Sequence, residues 1–288
     1  MSLPEIQMLW VSGELSTLER LSIVSFLRNG HPVRLFSYQP IPNLPQGVLQ
    51  EDARAILPET EVFANPAADG NGGLTVFANF FRYQLLLQRG GIWSDCDVVC
   101  VRPISFAEDM EYVFATERIR VPAGAKTEAQ VTNCFFKAPA KSPVASKALE
   151  IARSKDLATA PWGSTGPQAL HEAATELGLG SYMLAPDVIC PIDWWQIPDL
   201  VSGISVLPPN AYAIHFWNER WRRNFFDKTA SYDPLCLYER LKAHYFASQD
   251  SHHGEARNAH NAGRAQRGTD FVAPVSERGD GGESHQMA

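Results

Sequence analysis

Two carboxylates stand two residues apart in the stretch Gly90-Gly91-Ile92-Trp93-Ser94-Asp95-Cys96-Asp97. Hard divalent cations such as Mg2+ and Mn2+ prefer carboxylate oxygen, and they take only one or two protein carboxylates when phosphate and water fill the remaining positions. Asp95 and Asp97 supply that number. The chemistry such a site suits is departure of a diphosphate, whose oxygens a bound cation stabilises as charge develops. On extended backbone, residues i and i+2 point to one side, so Asp97 would bind the cation while Asp95 reaches cation-bound water or the ligand. A bare D-x-D usually marks a solvated loop. Here Ile92, Trp93, Val98 and Val99 surround the pair, and two unpaired carboxylates among apolar residues are costly without a cation or donors.

The elements that must position this pair are legible on both sides of it. Residues 75–88 have helical periodicity, with Phe77, Phe80, Phe81 and Leu85 on an apolar side and Gly90 as the stop. Thr75, Asn79 and Arg82 recur at i, i+4 and i+7, a polar stripe that would face a cleft. Residues 92–101 read as strand, turn and strand. Upstream, residues 6–11 and 33–38 read as buried strands around a helix at 15–29 that Gly30 ends, an opening βαβ unit of the nucleotide-binding kind. The Pro-rich stretch 39–66 predicts loop with one short helix near 50–56. Further strands are expected at 112–116, 133–137 and 212–214, and a helix at 164–178 opening on Thr165-Gly166-Pro167.

Length and composition bound the rest. The 288 residues, 45% of them hydrophobic, fit one large α/β domain. The net charge of −7 advertises no surface for nucleic acid. No secretory leader opens the chain and no run of about 18 apolar residues would span a membrane, which reads as a cytoplasmic protein. Five cysteines (Cys96, Cys100, Cys134, Cys190, Cys236) form no CxxC pair, so the spacing suggests reduced, buried thiols and neither a disulfide framework nor a zinc site. Residues 1–246 form the expected domain, and 247–288, rich in Gly, Ser, Asn, His and charge, read as a disordered tail.

The stretch from Phe80 through Arg82-Tyr83 to Asp95-Cys96-Asp97-Val98 resembles the sugar-binding DXD region of retaining glycosyltransferases. The group it is similar to is family 32-like: yeast mannosyltransferases, α-1,4-galactosyltransferases, capsular-polysaccharide transferases and, more distantly, clostridial glucosylating toxins. The resemblance implies a GT-A-type α/β fold, a central mixed sheet flanked by helices. It further implies transfer of a hexose, with retention, from a nucleotide-sugar donor (UDP-hexose favoured over GDP-mannose) to a glycan or glycolipid hydroxyl, dependent on Mn2+ or Mg2+. Arg82 would then touch the donor sugar or phosphates, and Asp97 would hold the metal. Asn79 stands where the family often has aspartate, keeping the hydrogen bonding and losing the charge. Donor contacts extend by resemblance to Trp10, Asn133, Thr165 and Gly166. Each has a plainer reading: core packing for Trp10, a structural amide for Asn133, a helix cap for Thr165-Gly166. His215, in Ile214-His215-Phe216-Trp217-Asn218, would complete the metal shell or serve as a structural histidine, and Trp217 and Trp221 would stack on sugar or close the core. A lipid-linked acceptor would bring the protein to the inner membrane face as a peripheral partner.

Two other classes fit part of the pattern. Asp95-Cys96-Asp97-Val98-Val99 also matches the D-x-D-x-[TV] nucleophile loop of haloacid dehalogenase-type phosphatases. A catalytically silent glycan-binding homologue would keep the fold and lose turnover, a reading that Asn79 leaves open.

Overall fold

A computed structural model describes residues 3–64, 73–120, 128–203 and 205–247. The region read as a disordered tail lies, from residue 248 on, outside the described residues. The chain opens with β1 (Ile6–Leu9), α1 (Thr17–Arg28) and β2 (Val33–Ser37), in the βαβ order expected. Ser16 and Glu19 form a capping box at the start of α1, and Gly30, at φ +86°, turns the chain out of it. Next comes β3 (Val48–Asp52), where the sequence predicts a short helix. Parallel pairing from Val33↔Val48 to Ser37↔Asp52 satisfies the open edge of β2, and Arg34 bridges Glu51 across the two strands. Sheet pairing overrides local preference here, and only a single 3-10 turn, Ala53–Ala55, follows.

Helix α2 (Thr75–Arg89) runs into Gly90, whose φ is +68° and where a Cβ would collide with the backbone nitrogen of Ala140. The chain then enters β4 (Gly91–Ser94), turns, and forms β5 (Val98–Cys100). Strands β6 (Val113–Ile119) and β7 (Glu128–Ala138) precede α3 (Pro143–Ser154) and α4 (Pro167–Glu176). The remaining elements are α5 (Pro186–Ile189), α6 (Pro198–Val201), β8 (Ala213–His215), α7 (Asn218–Arg223) and α8 (Leu237–Phe246).

Among the described residues six strands form one mixed sheet in the order β3-β2-β1-β4-β7-β6, parallel from β3 to β4 and antiparallel through β7 and β6. Strands β5 and β8 make a separate antiparallel pair. Phe77, Phe81, Leu85, Leu149 and Leu170 from α2, α3 and α4 pack one face of the sheet. Leu18, Leu21, Phe216, Trp221 and Tyr238 belong to the core on the other face, with α1, α8 and the β5–β8 pair. The result is the expected mixed α/β fold, a central six-stranded sheet flanked by helices. Among the described residues no helix is long and apolar enough to cross a membrane.

Candidate active site

The acidic pair sits where β4 leaves the sheet. Asp95 N–H donates to the carbonyl of Cys134 at 2.7 Å, and the Asp95 carbonyl accepts from Val98 N–H at 3.2 Å. The segment is therefore a tight turn. The extended backbone expected between Asp95 and Asp97 is absent, and the two carboxylates converge because the turn folds them together.

Their surroundings differ. Oδ1 of Asp95 accepts from Trp93 Nε1 at 2.7 Å and faces Arg82 Nη1 at 3.0 Å. Arg82 is buried, donates to the carbonyls of Asn133 (2.5 Å) and Ala78 (3.2 Å), and lies 4.9 Å over the Trp93 ring. Burial pushes the Asp95 carboxyl above its ordinary pKa, against the pull of the Arg82 charge. Asp97 shows the opposite net effect: burial acts to raise it, but the His215 charge, the His215 hydrogen bond and the Asn218 N–H together hold it below the usual value. Its Oδ2 accepts from Asn218 N–H at 2.7 Å and faces His215 Nε2 at 3.5 Å. Two structural facts create that contact. The β5–β8 pairing sets His215 opposite Val98, and Trp217 takes a left-handed φ of 55° that aims the next amide at Asp97.

Asn79, Asn133, Thr165 and Gly166 come together on the α2 side. Asn79 Nδ2 donates to Thr165 Oγ1 at 3.1 Å, Asn133 Nδ2 donates to Asn79 Oδ1 at 2.8 Å, and Tyr83 OH donates to the Gly166 carbonyl at 2.8 Å. A Cβ on Gly166 would lie 2.9 Å from Asn79 Nδ2 and 3.1 Å from Asn133 Nδ2, so any larger residue must displace these two amides. Thr165 is bound by Asn79, and the cap position of α4 falls to Gly166, which has no side chain to bond. Thr75, the first residue of the polar stripe, is exposed. Trp10 follows β1, partly buried against the core, and its indole nitrogen meets no protein partner among the described residues. Trp217 and Trp221 are both buried; Trp221 packs on Phe216 and Tyr238, and the Trp217 ring lies 3.9 Å from that of His215.

A carboxylate oxygen from each of Asp95 and Asp97 and a nitrogen of His215 lie within 4.8 Å of one another. Two carboxylates and an imidazole form a donor set suited to Mn2+ or Mg2+. The contacts above use Oδ1 of Asp95 and Oδ2 of Asp97, which leaves one oxygen of each outside them.

Several supporting residues carry no separate functional signal in the sequence. Trp93 and Tyr83 fix Asp95 and Asn133, and Asn218 supplies the amide on Asp97. Glu19, fully buried, accepts from Asn218 Nδ2 at 3.4 Å and pairs with Lys228, which ties α1 to the start of α7. The spacing Ser16-x-x-Glu19 marks a capping box, but nothing local connects it to Asn218, 199 residues away. A shallow hollow lined by Pro4, Gln7, Arg34, Gly91 and Lys137 lies at the opposite ends of β1 and β4. Arg34 is paired there with Glu5 at 2.8 Å, and Asp95, Asp97 and His215 are not part of its lining.

Residues 59–118 match the family model described as a glycosyltransferase sugar-binding region containing a DXD motif. That span holds Asn79, Arg82, Asp95 and Asp97; Trp10, Asn133, Thr165, Gly166 and His215 lie outside it. Among solved structures the chain is similar to the PaToxG glycosyltransferase, with 16% identity and a TM-score of 0.41 over 62% of this chain and 72% of that one. It is similar to the glycosyltransferase GlyE of Streptococcus pneumoniae TIGR4, with 12% identity and a TM-score of 0.42 over 85% of this chain and 64% of that one. A third is the WbbM bifunctional glycosyltransferase, with 12% identity and a TM-score of 0.42 over 83% of this chain and 52% of that one. The chain thus spans less than two thirds of the length of GlyE and of WbbM. None of the curated proteins matches it. Over residues 59–118 the chain thus carries a match to a glycosyltransferase sugar-binding region with its DXD motif. The phosphatase reading is not favoured: Asp95 is engaged by Arg82 and Trp93 at the end of the fourth strand, where a haloacid dehalogenase nucleophile would follow the first.

Proposed function

We propose that the protein transfers a hexose from a nucleotide-sugar donor, UDP-hexose in preference to GDP-mannose, to a hydroxyl of a glycan or lipid-linked acceptor, with retention at the anomeric carbon. The observation that carries this reading is the convergence of Arg82, Asp95, Asp97 and His215 inside and beside a DXD sugar-binding region. In this reading the chain is a family 32-like transferase whose domain runs over residues 1–246. It works in cytoplasmic polysaccharide biosynthesis and meets the inner membrane face when its acceptor is lipid-linked.

A Mn2+ or Mg2+ ion held by Asp97, Asp95 and His215 would supply charge neutralisation at the departing diphosphate. Arg82 is held by the Asn133 carbonyl, the Trp93 face and Asp95, so its guanidinium is fixed before the donor arrives and presents positive charge to the sugar-phosphate linkage without reorganising. Asn79, Asn133, Thr165 and Gly166 orient the donor sugar, and Trp10, at the end of the first strand, meets the nucleotide base.

The acceptor side is supported by a different group of residues. Trp162, more than half exposed, lies three residues before Thr165, and Arg220 lies three after Trp217. The Arg220 guanidinium is 5.7 Å from the Trp162 ring and 4.0 Å from that of Trp194. Arg220 thus joins two aromatic rings on which a sugar ring can stack.

The test is hydrolysis of a panel of UDP- and GDP-sugars with and without Mn2+, with nucleotide diphosphate release as the readout. Metal-dependent release from one donor, lost in Asp97→Asn, is expected. Release that is indifferent to both metal and variant, or no binding of any donor, would overturn the reading.

A further inference from the structure

Beneath the carboxylate cluster, and outside the roles assigned above, lies a second set of metal-ligating atoms. Cys134 on β7 and Cys190 at the end of α5 are both buried, with their sulfurs 3.8 Å apart. Cys190 Sγ is 4.0 Å from His215 Nδ1, the ring nitrogen opposite the one that faces Asp97. The ligand atoms of all three residues lie within 4.8 Å of one another. Zinc–sulfur bonds of about 2.3 Å at a tetrahedral angle set two thiolates about 3.8 Å apart, and a sulfur and an imidazole nitrogen about 3.6 Å apart. The observed separations meet those edges to within a few tenths of an ångström.

The chemistry of this set differs from that of the carboxylates. Two thiolates and an imidazole favour a soft or borderline cation over Mn2+ or Mg2+. Three protein ligands leave a fourth position open, and Glu117, also buried, lies within electrostatic reach of Cys190. Binding would release the thiol protons to solvent as the two metal–sulfur bonds form. His215 belongs to both clusters, and a neutral imidazole has one lone pair to give, so the ring serves one ion at a time.

We propose that Cys134, Cys190 and His215 form a site for a thiophilic divalent cation such as Zn2+ or Cd2+, and that an ion bound there through Nδ1 keeps the proton on Nε2, so that His215 can no longer ligate an ion beside Asp97 and the enzyme is inhibited. Occupancy of this site does not depend on the transferase reading; the inhibition does.

The experiment is titration of the full chain with Cd2+, followed by the ultraviolet thiolate-to-cadmium absorption. The band is expected to saturate at one equivalent in the wild type and in Asp97→Asn. It should survive Cys96→Ala and Cys236→Ala and vanish in the Cys134→Ala/Cys190→Ala double variant, with circular dichroism reporting that each variant is folded. No band in the wild type, or a band that outlasts the double variant, would overturn the site. The second arm follows nucleotide diphosphate release with Mn2+ as Cd2+ is added. Inhibition at one equivalent in the wild type, and its relief in the double variant relative to that variant's own starting rate, is expected. Inhibition that persists in the double variant would overturn the link through His215. If no donor is turned over at all, the absorption arm still decides whether the site exists.

Discussion

The two sides of the candidate site are built in different ways. On the α2 side, Asn79, Arg82, Tyr83, Asn133, Thr165 and Gly166 bond to one another in a closed, buried network that starts from one helix face. On the β8 side, Asp97, His215 and Asn218 meet through one backbone amide, one contact of 3.5 Å and a left-handed tryptophan, and Lys228 and Glu19 brace them from a distance. The first side is rigid before any ligand arrives; the second has donor atoms left for one. Preorganised dipoles suit the sugar and phosphates of a donor, whereas a cation needs ligands whose contacts it can replace.

Substitutions can break or sharpen that contrast. The largest effect is expected on the β8 side: Asp97→Asn should lower metal-dependent donor hydrolysis by about 10³-fold or more while circular dichroism stays native, because the amide still accepts from Asn218. Near-normal turnover in this variant would remove the contrast. On the α2 side Arg82→Ala should cost both activity and stability, since it strands Asp95 and the Asn133 carbonyl together. Removing one partner of a fully buried pair costs about 3–5 kcal/mol, and Asp95, 24% exposed, regains some water, so about 2 kcal/mol is expected from urea midpoints. A loss of activity with unchanged stability would show that the network is looser than its geometry.

Gly166→Ala should act through the same network more gently. Its methyl must push Asn79 and Asn133 apart, which is expected to raise the donor KM by about tenfold, leave kcat within a small factor and lower stability by about 1 kcal/mol. A change in kcat alone would assign these amides to the chemical step in place of donor orientation. The smallest effect concerns a second buried histidine, which shows what a purely structural one looks like. His31 Nδ1 donates to the Pro4 carbonyl at 2.9 Å and Nε2 accepts from Ile104 N–H at 3.0 Å, so the neutral ring is satisfied on both nitrogens. Burial lowers its pKa below 6.5, outweighing the bond to Pro4. The unfolded chain then takes up the proton first as pH falls, so stability is full above pH 6.5 and declines below it. His31→Gln should flatten that acid limb of urea midpoints measured from about pH 7.5 to about pH 5; an unchanged limb would move the acid sensitivity to other groups.

How much of this was legible in the sequence follows the same division. The α2 side was readable because 3.6-residue periodicity sets Asn79 and Arg82 on one face, and Gly90-Gly91 announces the turn into the strand that bears the aspartates. The sequence carries no expectation for α3, whose Ser142-Pro143 is a fair helix start, or for α8, whose pattern is weak. Strand β3 departs from the helix that the sequence predicts because its conformation is imposed by the edge of β2. Trp162 and Arg220 gave no sign of meeting, since 58 residues separate them.

By itself the sequence determined the α/β class, the helix-to-strand unit around the acidic pair, and the close spacing of its two carboxylates. Those are properties of residue type and short spacing, which the chain carries whatever its surroundings. Only the tertiary structure decided that Asp95 and Asp97 lie on a turn, that His215 joins them through the pairing of Val98 with His215, and that Cys134 and Cys190 lie against the same imidazole. The contacts of His215 join residues 25 to 118 positions apart, and no local pattern encodes them because they arise only when helices on both faces bury the sheet and bring its strand ends together.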